Sequence, residues 1–212
     1  MAKKVIVLGE VRHNEIRNVS FEAIAAAKII SEGGEVAAAL FNDTIDDLVY
    51  ELIYYGADRV VKVEHPSLKE YTTDAFQQAL LQIIEVEKPD VLIMGHTALG
   101  KDLSPRIAAK LQAGLVSDIV KLELTSSEIV YTRPIYSGKA FEKKTVNGGL
   151  TIATIRPNNI GTLQKDKSRT GKVGKQSVEI NHVRTTIKEI VKKVAGGVDL
   201  SEAKIIVFSI PS

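Results

Sequence analysis

Residues 89–111 read PDVLIMGHTALGKDLSPRIAAKL. The apolar run VLIM at 91–94 stops abruptly at Gly95, and a small polar loop follows. From Asp102 onward the apolar residues Leu103, Ile107, Ala108 and Leu111 recur at helical spacing. A buried parallel strand, a glycine-bounded turn and a helix account for that order. In an open α/β sheet, the carboxyl end of such a strand is where ligands and partners gather.

Working outward toward the amino terminus, the same unit repeats. Core-type strands are expected over residues 3–8, 35–41, 59–63 and 90–94, because β-branched and apolar residues run there without polar alternation. Helices are expected over 21–31, 43–55 and 71–87. Ser20 is read as the cap of the first and Gly33-Gly34 as its stop, while Asp43 and Thr44 open the second. Pro89 returns the chain to an extended form. The alternation predicts the α/β class: a Rossmann-like, doubly wound, mainly parallel sheet in three α/β/α layers.

Toward the carboxyl terminus the pattern changes. Residues 115–124, 129–136, 139–146 and 150–155 are all strand-like, separated by turn residues at 125–127, Ser137-Gly138 and Asn147-Gly148-Gly149. Asn-Gly is a strong hairpin signal, because both positions accept positive φ. An antiparallel β meander attached to the parallel core is therefore expected. Tyr131, Arg133 and Ile135 share one side of their strand, but imperfect alternation leaves its exposed face open. Residues 161–174 read as a polar loop and 177–183 as one more strand. A short helix from Thr185 or Thr186 to about 194, a break at Gly196-Gly197 and a last core-type strand over 204–207 complete the reading.

Composition narrows the functional classes. A chain of 212 residues with 44% hydrophobic and 25% charged side chains has the make-up of a water-soluble globular protein. No cysteine is present, which excludes disulfides, thiolate metal sites, iron–sulfur ligation and cysteine nucleophiles. No apolar run approaches the roughly 20 residues of a membrane span. The run VIVL at 5–8 suits a first core strand better than a leader, so the expected location is cytoplasmic. Charge is uneven: residues 1–100 carry 9 basic and 16 acidic side chains, whereas residues 101–212 carry 19 basic and 10 acidic. The densest basic stretch, KDKSRTGKVGK at 165–175, has no aromatic residue on which bases could stack, so nucleic acid is not the expected partner. It reads as a solvated loop, with contact to an acidic protein surface as the functional alternative.

The motifs that carry chemistry are few. Gly95, His96, Thr97, Gly100 and Lys101 fall in the G-x-x-x-x-G-K spacing of a phosphate loop, but Asp102 stands where a magnesium-binding hydroxyl belongs. A tight structural turn, or a weaker nucleotide or anion contact at a helix start, remains. These five residues are the cofactor-binding candidates. A G-x-G-x-x-G fingerprint is absent after the first strand, where Gly9 stands alone. His13, His65, His96 and His182 lack metal-ligand spacing, and no G-x-S-x-G elbow occurs. No catalytic constellation and no metal site are expected. Arg106 lies one turn into the helix and reads either as a surface residue or as an arginine reaching across a subunit contact.

The segment GKDLSPRIAAKL at 100–111 resembles the G-K-x-x-x-P-R-x-A-A-x-L motif of the electron transfer flavoprotein alpha subunit. Ser117-Asp118-Ile119 follows at that family's spacing. RPIYSGKA at 133–140 is similar to its R-P-x-x-x-G-x-A hairpin, and TIRP at 154–157 to its T-x-R-P strand end. Leu8-Gly9-Glu10 and NVSFE at 18–22 are similar as well. The resemblance implies an electron carrier rather than an enzyme, in which an amino-terminal α/β domain (residues 1–197) pairs with a beta subunit to support a flavin domain. It further implies FAD in the full-length family, with AMP in the beta subunit. Electrons would come from acyl-CoA-type dehydrogenases of fatty acid β-oxidation and pass to a quinone reductase or, in some relatives, enter bifurcation. Arg106, Arg133, Tyr136 and Arg156 become the interface candidates.

The family's Ser-Gly-Gly-Arg-Gly turn and S-G-A-I-Q-H segment do not occur, so residues 198–212 read as the start of the flavin domain. FAD binding is not expected of this chain by itself. Two other readings stay open: a stand-alone adenine-nucleotide-binding module, with its ligand between Gly9-Glu10 and residues 95–101, and a homo-oligomer formed through the edge of the last strand.

Overall fold

The runs read as core strands assemble into one seven-stranded sheet in the computed structural model, which describes residues 2–45, 47–126, 128–185, 187–189 and 207. In chain order the elements are β1 (Val5–Gly9), β2 (Val11–Arg12), β3 (Glu15–Ile16), α1 (Asn18–Ile30), β4 (Val36–Asn42), α2 (Leu48–Tyr54), β5 (Arg59–Glu64), α3 (Thr73–Glu87), β6 (Val91–Gly95) and α4 (Ala98–Leu111). Then follow β7 (Gly114–Ile119), β8 (Lys121–Leu124), β9 (Ile129–Ile135), β10 (Ala140–Lys144), β11 (Thr151–Ile155) and β12 (Lys172–Lys175). The large sheet has the order β12-β5-β4-β1-β6-β11-β7, and every pairing in it is parallel.

Strand pleat divides the core into two layers. Val5, Val7, Ala38, Leu40 and Ile93 pack on the side of α1 and α2. Ile6, Leu8, Ala39, Leu92 and Met94 pack on the side of α3 and α4. This is the three-layer doubly wound architecture that the alternation predicts. β1 leads to β4 and β5 on one side, while β6 lies on its other side. The carboxyl ends of β1 and β6 therefore form the topological switch point.

The antiparallel meander has three strands, β8-β9-β10, rather than four. The expected strand over 115–124 divides: β7 joins the parallel sheet and β8 the meander, with Asp118 at a left-handed φ of 64° near the break. The expected strand over 150–155 forms as β11 but inserts between β6 and β7. The Asn147-Gly148 turn thus connects strands of different sheets and makes no hairpin. The meander takes the place of a crossover helix between β7 and β11. Its Leu122, Ile129 and Tyr131 cover the α1 side of the core.

Other differences lie at element ends. α1 starts at Asn18, and Ser20 caps nothing; its Oγ accepts the Glu10 N–H at 2.9 Å. α2 starts only at Leu48, because the preceding segment is held elsewhere, with the Ile45 N–H on Glu64 Oε1. Residues 177–183 form no strand. They run along α3, where Val178, Ile180 and Val183 pack on the core and the Gln78 and Gln82 amides take up backbone bonds. They end a strap from Arg156 onward, in which residues 158–160 donate to Glu22 and Arg169 donates to carbonyls at the end of α2. The expected polar loop over 161–174 supplies β12, the edge strand beside β5. Of the expected helix from Thr185 or Thr186 to about 194, residues 185 and 187–189 are described and are not helical; its remainder, the 197/198 boundary and the strand over 204–207 fall outside the described residues, Val207 apart.

Candidate functional site

The strand ends above the sheet carry two adjoining polar clusters. The first closes the switch point. The Glu10 side chain leaves the end of β1 and is 4% exposed. Its Oε1 accepts from Thr97 Oγ1 at 2.8 Å, beyond the end of β6, and its Oε2 accepts from Arg17 at 3.0 Å. Gly95 makes room for this carboxylate, since a Cβ there would lie 2.9 Å from Glu10 Oε1.

The glycine spacing that suggests a phosphate loop has a different cause. α4 begins at Ala98, not at Asp102, and Thr97 is its N-cap, accepting the Gly100 N–H at 3.3 Å. Gly100 is therefore inside the helix, where a Cβ would sit 1.8 Å from the Gly95 carbonyl oxygen. Close helix–strand packing, not phosphate cradling, requires both glycines. Lys101 is exposed on the first turn. Asp102 reaches away to α3, accepting from Tyr71 Oη at 2.6 Å and Thr73 Oγ1 at 2.5 Å, and its carboxyl is held below the usual range by these bonds, Thr73 first.

The second cluster stands on the ends of β6, β11 and β7. A bulge in the β11–β7 pairing falls at Thr154, which is fully buried. Its Oγ1 accepts the Asp118 N–H at 3.1 Å and lies 2.9 Å from His96 Nδ1. On the other side of the ring, His96 Nε2 stands 3.7 Å from Asp118 Oδ1. Asp118 also takes both prongs of Arg156, at 2.9 and 2.6 Å. These bonds hold the Asp118 carboxyl below its ordinary value. Burial pushes the His96 imidazole down, Asp118 opposes that shift, and the positive charges of Lys101, Arg156 and Arg133 add to it.

Over this cluster hangs the β9–β10 hairpin. Arg133 follows Tyr131 on the inward side of β9 and, with Asp118, Arg156 and Tyr136, lines an open pocket of about 500 Å³. The hairpin tip holds Tyr136, Ser137 and Gly138 at successive positive φ values of 50°, 56° and 86°. Two non-glycine residues in that region store strain, which persists only where the surroundings impose it. Tyr136 is 78% exposed and Phe141, on β10, 64%.

The structure thus gathers Arg133, Tyr136 and Arg156 in one pocket, next to His96. Arg106 is not among them; it pairs with Asp102 at 3.1 Å along α4. Reading residues alone missed Glu10, Arg17 and Thr97 as one unit, and Asp118 and Thr154 as another. Glu10, Asp118 and Thr154 lie within motifs visible in the sequence, yet their pairing depends on strand order. Among the described residues no group of histidine, aspartate and glutamate side chains could hold a metal ion.

The electron transfer flavoprotein domain model matches residues 5–181. An electron transfer flavoprotein subunit alpha from Bacillus subtilis is 54% identical over 98% of this chain and 64% of its own length. The subunit of the same name from Thermoanaerobacterium thermosaccharolyticum is 33% identical over 97% of this chain and 64% of its own length. An acryloyl-CoA reductase electron transfer subunit beta from Anaerotignum propionicum is 35% identical over 60% of this chain and 35% of its own length. The chain belongs to the electron transfer flavoprotein family, and it spans about 64% of the length of the first two relatives.

The switch point does not fit a nucleotide phosphate. Where a nucleotide phosphate would need cationic or N–H donors, the buried Glu10 carboxylate stands, its two oxygens bonded to Thr97 and Arg17. Among the described residues no helix is long and apolar enough to cross a membrane.

Proposed function

We propose that this chain is the α/β scaffold of an electron transfer flavoprotein alpha subunit, a cytoplasmic electron carrier component without catalytic residues of its own. It pairs with a beta subunit, and the two together support an FAD domain. The assembly carries electrons from acyl-CoA-type dehydrogenases to a quinone reductase. AMP belongs to the beta subunit in this reading, and FAD to the complete assembly.

The observation that carries the proposal is the surface around Arg133, Tyr136 and Arg156. A strained hairpin holds a highly exposed aromatic ring beside two guanidinium groups, over strand ends whose nucleotide position is filled. Such a combination suits a protein interface, where tyrosine and arginine are enriched. The filled switch point argues against the stand-alone nucleotide module. Co-expression with a beta subunit, followed by sedimentation, tests the reading: a stable one-to-one complex is expected. Failure to associate, with this chain and with one extended to the length of its relatives, would sink it. The chain purified alone is expected to show no flavin absorbance.

A further inference from the structure

We infer that the pocket between Arg133 and Arg156 is the seat of a carboxylate presented by the partner subunit. The inference rests on the pairing reading above and names the chemistry of its contact.

Charge in the pocket does not balance. Asp118 is the acidic group lining it, and both of its oxygens are engaged by Arg156. Among the described residues the Arg133 side chain makes no hydrogen bond or ion pair, and its Nε is fully buried without an acceptor. A buried donor left unsatisfied is destabilising, so such groups persist where a ligand completes them. Lys101 adds a third positive charge close enough to act on both His96 and Asp118.

The geometry selects the ligand. Arg156 uses Nε and Nη2 for Asp118, and Nη1 remains for another acceptor. A carboxylate between that nitrogen and the Arg133 fork would receive donors from both arginines, a planar match that guanidinium groups favour. The pocket mouth is bounded by the hairpin tip, where Tyr136 offers apolar area for the residue bearing the carboxylate. A glutamate or aspartate on a protruding loop has the required reach and charge.

The test measures association with the beta subunit at several ionic strengths for the wild-type chain and for Arg133→Met, Arg133→Lys and Arg133→Glu. The Arg133 side chain makes no internal bond and buries an unsatisfied donor, so Arg133→Met should unfold no lower than the wild-type chain. Its affinity should fall about 10- to 100-fold, the worth of one or two charge-assisted bonds, with a flatter salt dependence. Arg133→Lys should recover part of the loss and Arg133→Glu should deepen it. The Arg133 Nε–H resonance should move downfield in the complex. Wild-type affinity in Arg133→Met at every ionic strength would overturn the carboxylate seat while leaving the pairing intact. Absence of any complex with the unaltered chain would overturn both. If citrate saturates the pocket but leaves partner binding unchanged, the site serves a soluble anion and the inference fails.

Discussion

Thr97 donates its hydroxyl proton to Glu10 across 87 positions of sequence, at 2.8 Å, and so ties the ends of β1 and β6 together. Both groups are buried. Thr97→Val keeps the shape but removes the α4 cap on the Gly100 N–H and leaves a buried carboxylate oxygen one donor short, and a combined loss of about 2–4 kcal/mol is expected in urea unfolding. The same bond has a functional reading. With a carboxylate at the switch point, titration with AMP or ATP in a calorimeter should give no binding heat. Measurable heat that Glu10→Gln leaves unchanged would place the nucleotide elsewhere.

Gly100 sets helix propensity against packing. In an exposed helix interior, Gly→Ala stabilises by about 1 kcal/mol. Here the added methyl would lie 1.8 Å from the Gly95 carbonyl oxygen, and α4 would have to move off the strand end. Gly100→Ala is therefore expected to destabilise by about 2 kcal/mol or more, in the range of overpacked cores. An unfolding midpoint at or above the wild-type value would show that the helix shifts freely.

What could be read from the chain differs by region for physical reasons. β1, β4, β5 and β6 were legible because a parallel strand buried on both faces leaves an unbroken apolar run. The bend at Asp118 was not, since neither glycine nor proline marks it; the conformation is imposed by Arg156 and by the bulge at Thr154. The strap was hidden because its anchors are polar and lie on other elements, such as Glu22, Gln78 and Gln82. For the site, motif resemblance picked out Arg133, Tyr136 and Arg156, but the same resemblance offered Arg106, which turns to Asp102. Strand order decided which of them meet.

Gln82 holds the strap as a neighbouring strand would. Its Nε2 donates to the Glu179 carbonyl at 2.8 Å, and its Oε1 accepts the Glu179 N–H at 3.0 Å. Gln82→Leu removes both bonds while keeping most of the volume. Because the contact is exposed, about 1 kcal/mol of global stability is expected to go. Amide exchange should accelerate at residue 179 and its neighbours, and the core strands should be unaffected. Unchanged protection at residue 179 would mean that Val178 and Ile180 alone hold the segment.

His96 makes stability depend on pH near neutrality. Its folded-state pKa lies below the ordinary value of 6.5, chiefly through burial. The unfolded chain therefore takes up the proton more readily, and stability rises with pH in that window. The sign is that of a base kept neutral: its contribution is complete above about pH 6.5 and is lost as the pH falls below it, with a slope of at most about 1.4 kcal/mol per pH unit. The physical cause is specific. A second ring proton would place a charge in a half-buried site, facing Lys101, Arg156 and Arg133, with Asp118 as the opposing carboxylate. His96→Gln preserves a polar contact to Thr154 and removes the titration. Urea midpoints at pH 7.5, 6.5 and 5.5 should fall more steeply for the wild-type chain than for His96→Gln. Parallel profiles would show that Asp118 stabilises the imidazolium enough to cancel the burial, and the lowered His96 pKa would then be wrong.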